Sequence, residues 1–318
     1  MQTPPTQPSR RAIDRLKGWL REGFRPVPVS AWEWAVMRAG FAVVAFFNFT
    51  SRQPFNYPGQ PAPVGLAKLF DLTWLNQPWA YPVFVTLAAI GLLSYASGYG
   101  LAISLPVLTL LHTLMRTYEN SQGSIHHSHH MITLVLLAQT VVVLVIRLRD
   151  WRGGGRTGWS DGLKERSWLL YYTQGAVAAT YVIAALSKTI NSKLLWVWNS
   201  PYVAFDFVKA QRQQYYKLLD PQYAGDLAAA EWVLAHPMLA RIGFGGAFFL
   251  ELFALVALKS RPWAFWTGLA LIGLHRGIFW IMHLRFHNSE WVLLIFFLNL
   301  PYWVWRWQAG RRGGGVAL

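Results

Sequence analysis

The chain has 318 residues, of which 54% are hydrophobic and 14% charged, and its formal charge is +15. A soluble domain carries about 25% charged residues, so this composition excludes an ordinary soluble fold and points to a membrane protein of one domain. The basic residues lie mostly at the edges of apolar runs, where they orient a membrane chain, and no nucleic-acid partner is expected. There is no cysteine, which excludes a disulfide, a thiolate nucleophile or a Cys-ligated metal.

A membrane-spanning helix needs about 20 mostly apolar residues. Taken in chain order, eight stretches qualify: 31–50, 79–97, 99–117, 129–147, 167–189, 237–258, 262–283 and 289–307. The expected fold is therefore all-α, a polytopic bundle of about eight transmembrane helices. A basic amphipathic segment (1–30) precedes the membrane domain (31–308), and a short tail (309–318) follows it. "SGYG" at 97–100 makes the connection between the second and third spans a tight turn. The connection 190–236 is long and mixed. Within it, "FDFVKAQRQQYYKLL" has apolar residues at helical spacing and reads as an interfacial helix. The first apolar run is span-length and lacks a small-residue cleavage site, so no cleavable signal is expected.

Lysine and arginine set the orientation. Six fall before the first span (Arg10, Arg11, Arg15, Lys17, Arg21, Arg25). Five follow the fourth (Arg149, Arg152, Arg156, Lys164, Arg166), and Lys259 and Arg261 mark the sixth–seventh turn. With eight spans in the cell membrane and both termini cytoplasmic, each rich segment lies inside. On that topology His112, Arg116 and Tyr118 end the third span on the outer side. His126, His127, His129 and His130, from "HHSHH", open the fourth. Lys188 ends the fifth, His275 and Arg276 lie in the seventh, and His283 and His287 follow. The outer side thus gathers the histidines and one lysine in an outward-opening polar pocket, with Lys188, His130 and His275 at a shared depth. Arg38 and Glu251, in the inner half, are expected to pair.

Each piece has a plainer reading. Lys188 at a span end also suits an interfacial lysine reaching for water. His126/His130 and His283/His287 are i,i+4 pairs that could share a metal on one helical face. That would make the chain a metal-dependent lipid oxidoreductase of the histidine-box kind. The main expectation is that no metal is bound.

Several segments resemble the HTTM family, to which the vitamin K-dependent gamma-glutamyl carboxylase belongs. "YYTQGAVAATYVIAALSKTINSKLLWVW" is similar to its lysine-bearing span. "HHMITLVLLAQ" looks like its histidine-led span, "WEWAVMRAGFAVVAFF" like its opening span and "LHRGIFWIMHLRF" like a later one; together they cover about 31–305. The resemblance implies an enzyme that oxidises a bound hydroquinone with a lysine base to drive proton abstraction and carboxylation. The base falls on Lys188. The family's histidine falls on His130, with His129 as the alternative register and His275 as a looser match. Trp196, Trp198, Tyr181 and His112 are the expected lining of the quinone site. The implied cofactor is a reduced, vitamin K-like quinone, with O2 and CO2 as co-substrates. The implied partners are membrane lipids, the lipid-soluble quinone and, as a candidate, a protein substrate. The carboxylase has a large external domain for its propeptide-bearing substrates, whereas only "GRRGGGVAL" follows the last apolar run here, so binding through a propeptide is not expected. A non-catalytic HTTM-type protein that binds a lipid or a partner is the rival reading. A lysine acts as a base only when neutral, and apolar burial disfavours the charged amine.

Overall fold

The computed structural model describes residues 18, 24–123, 125, 127–153, 162–219, 221 and 227–311. The basic amphipathic segment expected before residue 24, most of the loop after the fourth span and the last seven residues lie outside them. The described chain is helical and contains no strand. Its α-helices of seven residues or more are α1 (Ala31–Phe49), α2 (Ala80–Ser97), α3 (Leu101–Asn120), α4 (His127–Arg152), α5 (Leu163–Asn191), α6 (Ala204–Leu218), α7 (Ala228–Ala235), α8 (Pro237–Leu252), α9 (Arg261–Met282), α10 (His287–Leu293) and α11 (Leu300–Arg311). Among the described residues six helices, α1 to α5 and α9, are long and apolar enough to cross a membrane, and a seventh span results if the bent pair α7–α8 counts as one. The protein is a multi-pass membrane protein. Its surface agrees: Phe47, Ile183 and Trp280 stand 64–75% exposed on these helices, where an aqueous surface would be charged.

The expected sixth and eighth spans are interrupted helices. Pro237 starts α8 just after α7 and the two axes differ by 100°. Proline cannot donate into the preceding turn and clashes with it. After α8, residues 254–259 tighten into a 3-10 helix. In the last run, α10 passes into a π turn at Leu294–Leu298, and Asn299 (φ 45°) breaks the axis before α11. The carbonyl of Phe296 in that turn accepts from Gln174 Nε2 on α5 at 2.7 Å, so a group released by the break is paired inside the bundle. The π turn also approaches α9 closely. A Cβ added at Gly268 would sit 2.6 Å from the Phe297 Cβ, a contact only glycine permits.

The core of the bundle is aromatic and aliphatic. Phe41 packs against Tyr95 and Phe296, with ring centroids 5.8 and 5.5 Å apart. Polar bonds join neighbouring helices through it: Thr109 and Thr140 hydroxyls at 2.8 Å, and Gln139 Nε2 donating to Thr173 Oγ1 at 3.1 Å. Such bonds hold membrane helices together where no hydrophobic drive exists between them.

Polar residues close the two ends differently. At the end where α1 and α9 begin, Ser30 and Glu33 form a capping box. Glu33 also takes the Arg261 guanidinium and the Asn299 amide. The tight turn at 97–100 has Gly98 and Gly100 left-handed (φ 80° and 65°). It wraps the Arg38 guanidinium so closely that a Cβ at Gly98 would touch it. We call this the basic-loop end, and the other the histidine end. At the histidine end the stretch read as an interfacial helix does form α6, but it is anchored. Ala204 and Phe207 pack with Ala230, Val233 and Ala240 of α7 and α8 into a second small core.

Candidate functional site

Two linked polar groups occupy the histidine end. The first lies between α1, α3, α4 and α10. On α3, His112, Arg116, Glu119 and Asn120 follow at spacings that share one helical face, and all four are buried. Arg116 donates to Glu119 at 2.5 Å and, through Nη2, to the Asn48 carbonyl at 2.8 Å. Asn48 in turn donates to Asn288 Oδ1 at 2.9 Å. His129 Nδ1 lies 2.8 Å from Asn48 Oδ1 and 3.1 Å from the Asn288 amide nitrogen. It therefore faces an acceptor and a donor, and its tautomer decides which bond is made. His130 Nε2 is 3.0 Å from the Asn120 amide. With Asn120 donating, that nitrogen carries the lone pair. His112 is wholly buried. Its Nδ1 meets the Thr133 hydroxyl at 2.8 Å, and its Nε2 has no hydrogen-bond partner.

The second group lies between α5, α8, α9 and α10. Lys188 Nζ donates to Glu251 Oε2, and the amine also stands 5.1 Å above the Trp196 ring. That ring is stacked on Phe248. Seven residues earlier on the same face of α5, about 10 Å along the axis, the Tyr181 hydroxyl is 3.3 Å from His275 Nε2. The His275 ring is stacked on Phe286 with centroids 4.9 Å apart, and its Nδ1 is buried without a partner. Arg276 pairs with Glu290. Helix α10 joins the two groups, because Asn288 belongs to the first and Glu290 to the second.

Lys188, His129, His130, His275, Tyr181 and His112 thus all lie in this polar layer, yet Lys188, His130 and His275 each bond a different partner. Trp196 roofs the lysine. Trp198 is 63% exposed and turned to Arg241, whose guanidinium is 3.8 Å from the ring centroid. The Arg38–Glu251 pairing is corrected: Glu251 belongs to Lys188, and Arg38 lies beneath the α2–α3 turn. Among the described residues, no three His, Asp or Glu side chains come together as a metal would need. His126, part of the proposed i,i+4 ligand pair, lies outside them. A cavity of about 890 Å³ opens elsewhere, between α4 and α5 at the basic-loop end.

Sequence reasoning missed Asn48, Asn288 and the role of Glu251. Asn48 and Asn288 are 240 residues apart, and nothing near either one signals the other. The one local signal was the charge of Glu251 within an apolar run, which marks intramembrane function by default.

Fold and site define a polytopic helical membrane protein with ionisable and amide side chains buried at one end. Comparison with protein-family models, with curated proteins and with solved structures gives no match.

Proposed function

We propose that the chain is an enzyme of the cell membrane that takes a proton from a lipid-soluble hydroquinone, with Lys188 as the base, in the manner of the vitamin K-dependent carboxylase. The observation that supports this reading is the setting of Lys188, an amine at the end of an apolar helix, held between the Glu251 carboxylate and the face of Trp196. A neutral amine is required of a base. On this reading Lys188 Nζ enters the reaction as the free amine and takes the hydroquinone proton. When Nζ then accepts a proton, the ring of Trp196 favours the ammonium.

The residues suit a hydroquinone in one further respect. His275 Nδ1 and His112 Nε2 are buried nitrogens without partners, and a buried polar atom left unpaired is costly. Either can bond a quinone oxygen. The hydroquinone supplies an acidic hydroxyl and reducing electrons, and O2 and CO2 are the co-substrates on this reading. The test is mass spectrometry of small molecules extracted from detergent-purified protein. We expect a quinone at near-equimolar amount. Its absence from protein made in quinone-replete cells counts against the reading.

One observation favours a non-catalytic lipid- or partner-binding protein instead. Arg116–Glu119, Arg147–Glu165, Arg261–Glu33 and Arg276–Glu290 are ion pairs of the same kind, and Lys188–Glu251 would simply be another. The two readings separate on the arginine variant argued in the Discussion.

We further propose that both termini are cytoplasmic, on the basic residues before α1 and between α4 and α5. Single cysteines test this cleanly because the chain has none. In intact cells an impermeant maleimide should label Leu69→Cys, an exposed position between α1 and α2, and spare Gly158→Cys. The opposite labelling pattern inverts the topology.

A further inference from the structure

The cavity between α4 and α5 has no part in the chemistry above. It is built by one face of each helix. Val141 and Val145 stand on α4, and Trp168 and Tyr172 on α5, with Ala138 and Ala176 at its floor. Ala138 and Ala176 leave room at one end of it, since neither carries a side chain beyond Cβ. Val141, Val145 and Tyr172 are 43–52% exposed, so the groove opens sideways on the surface of the bundle, toward acyl chains rather than into the core. Trp168 and Tyr172 are stacked, with centroids 5.6 Å apart, and make one wall flat and rigid. Its volume of about 890 Å³ lies within the roughly 300–1,000 Å³ of sites that enclose a small molecule.

The chemistry changes along the groove. The floor is apolar, whereas the end nearest the α4–α5 connection carries Arg147, Arg149, Asp150 and Glu165. Arg147 spends one nitrogen, Nη2, on both oxygens of Glu165, each at 3.3 Å. Between 147 and 166 the sequence holds six cations against three acids (Arg147, Arg149, Arg152, Arg156, Lys164 and Arg166; Asp150, Asp161 and Glu165). Trp151, 74% exposed, stands at the same level, as interfacial tryptophans do. An apolar slot whose open end is cationic and lies at the interface is complementary to a molecule with a long hydrocarbon tail and an anionic head.

We propose that this groove is a binding site for an anionic phospholipid, one acyl chain lying between Val141, Val145 and Tyr172 and the phosphate meeting Arg149 and Arg147. The site is separate from the Lys188 layer and does not depend on the chain being an enzyme.

The experiment uses the full chain in nanodiscs holding equal amounts of phosphatidylglycerol and phosphatidylcholine, released for native mass spectrometry. We expect one retained phosphatidylglycerol per protein. Ala176→Trp fills the floor and should remove the retained lipid. Arg149→Gln leaves the Arg147–Glu165 pair intact and should lower the preference for phosphatidylglycerol about fivefold, the worth of one arginine at an anionic surface. Lys188→Met should retain the lipid as the parent does. Equal retention of both lipids by the parent protein, or undiminished lipid retention in Ala176→Trp, would each overturn the proposal. Because Lys188→Met is read by lipid mass alone, failure of the hydroquinone reading leaves this result unaffected, and the reverse also holds.

Discussion

Lys188→Arg is expected to abolish turnover of a reduced quinone while the protein remains folded. The reason is proton chemistry. Arginine is effectively always protonated, so a guanidinium next to Glu251 keeps the ion pair and the contact with Trp196 but offers no lone pair. Lys188→Met is a less clean probe, although it too should be inactive. It leaves Glu251, only 8% exposed, without its cation. Breaking a buried pair from one side costs about 3–5 kcal/mol, and the 31% exposure of the lysine side chain puts this case below that range. A double variant, Lys188→Met with Glu251→Gln, removes both charges and should recover most of the stability without recovering activity. The assay is oxygen-dependent oxidation of a reduced quinone in detergent, beside thermal unfolding of the same samples. A purely structural pair predicts that arginine serves as well as lysine. Full activity in Lys188→Arg would sink the base role and leave Lys188 as a packing and charge partner of Glu251.

The apolar runs were legible because a membrane span advertises itself: 31–50, 79–97, 99–117, 129–147, 167–189 and 262–283 each correspond to one continuous helix. The runs at 237–258 and 289–307 are not continuous. Hydropathy does not register the passage to a 3-10 helix after Leu252 or a left-handed Asn299, because neither alters the average. Pairing Arg38 with Glu251 rested on their shared place in the inner half. Residues 254–259 are 3-10, rising about 2.0 Å per residue rather than 1.5 Å, which moves Glu251 only about 3 Å farther from the basic-loop end; its partner there is Lys188. The polar layer itself was half legible. Its histidines and lysine follow from where the spans end. The amides Asn48 and Asn288 do not, since an asparagine in an apolar helix gives no sign of its partner until the helices are packed.

Arg116 is expected to be the most costly single charge to remove from the histidine end. It is 3% exposed, as is Glu119, and it ties α3 to the Asn48 carbonyl on α1. Arg116→Met leaves the Glu119 carboxylate buried and unpaired and frees the Asn48 carbonyl, so a loss of about 3–5 kcal/mol is expected. The double variant Arg116→Met, Glu119→Gln removes both charges. Replacing a buried ion pair by neutral side chains of similar volume is often close to neutral, so most of the loss should be recovered. The two residues touch, and their effects should therefore be far from additive. Thermal unfolding of the parent, both single variants and the double variant in one detergent measures the cycle. If the double variant is as unstable as the sum of the singles, the cost lies in the Asn48 tie rather than in the stranded charge. The α1–α3 contact is then what holds His129 in place. If the pair matters as argued, the double variant keeps Asn48, Asn288 and His129 in register on their own hydrogen bonds, because none of those three bonds needs the guanidinium.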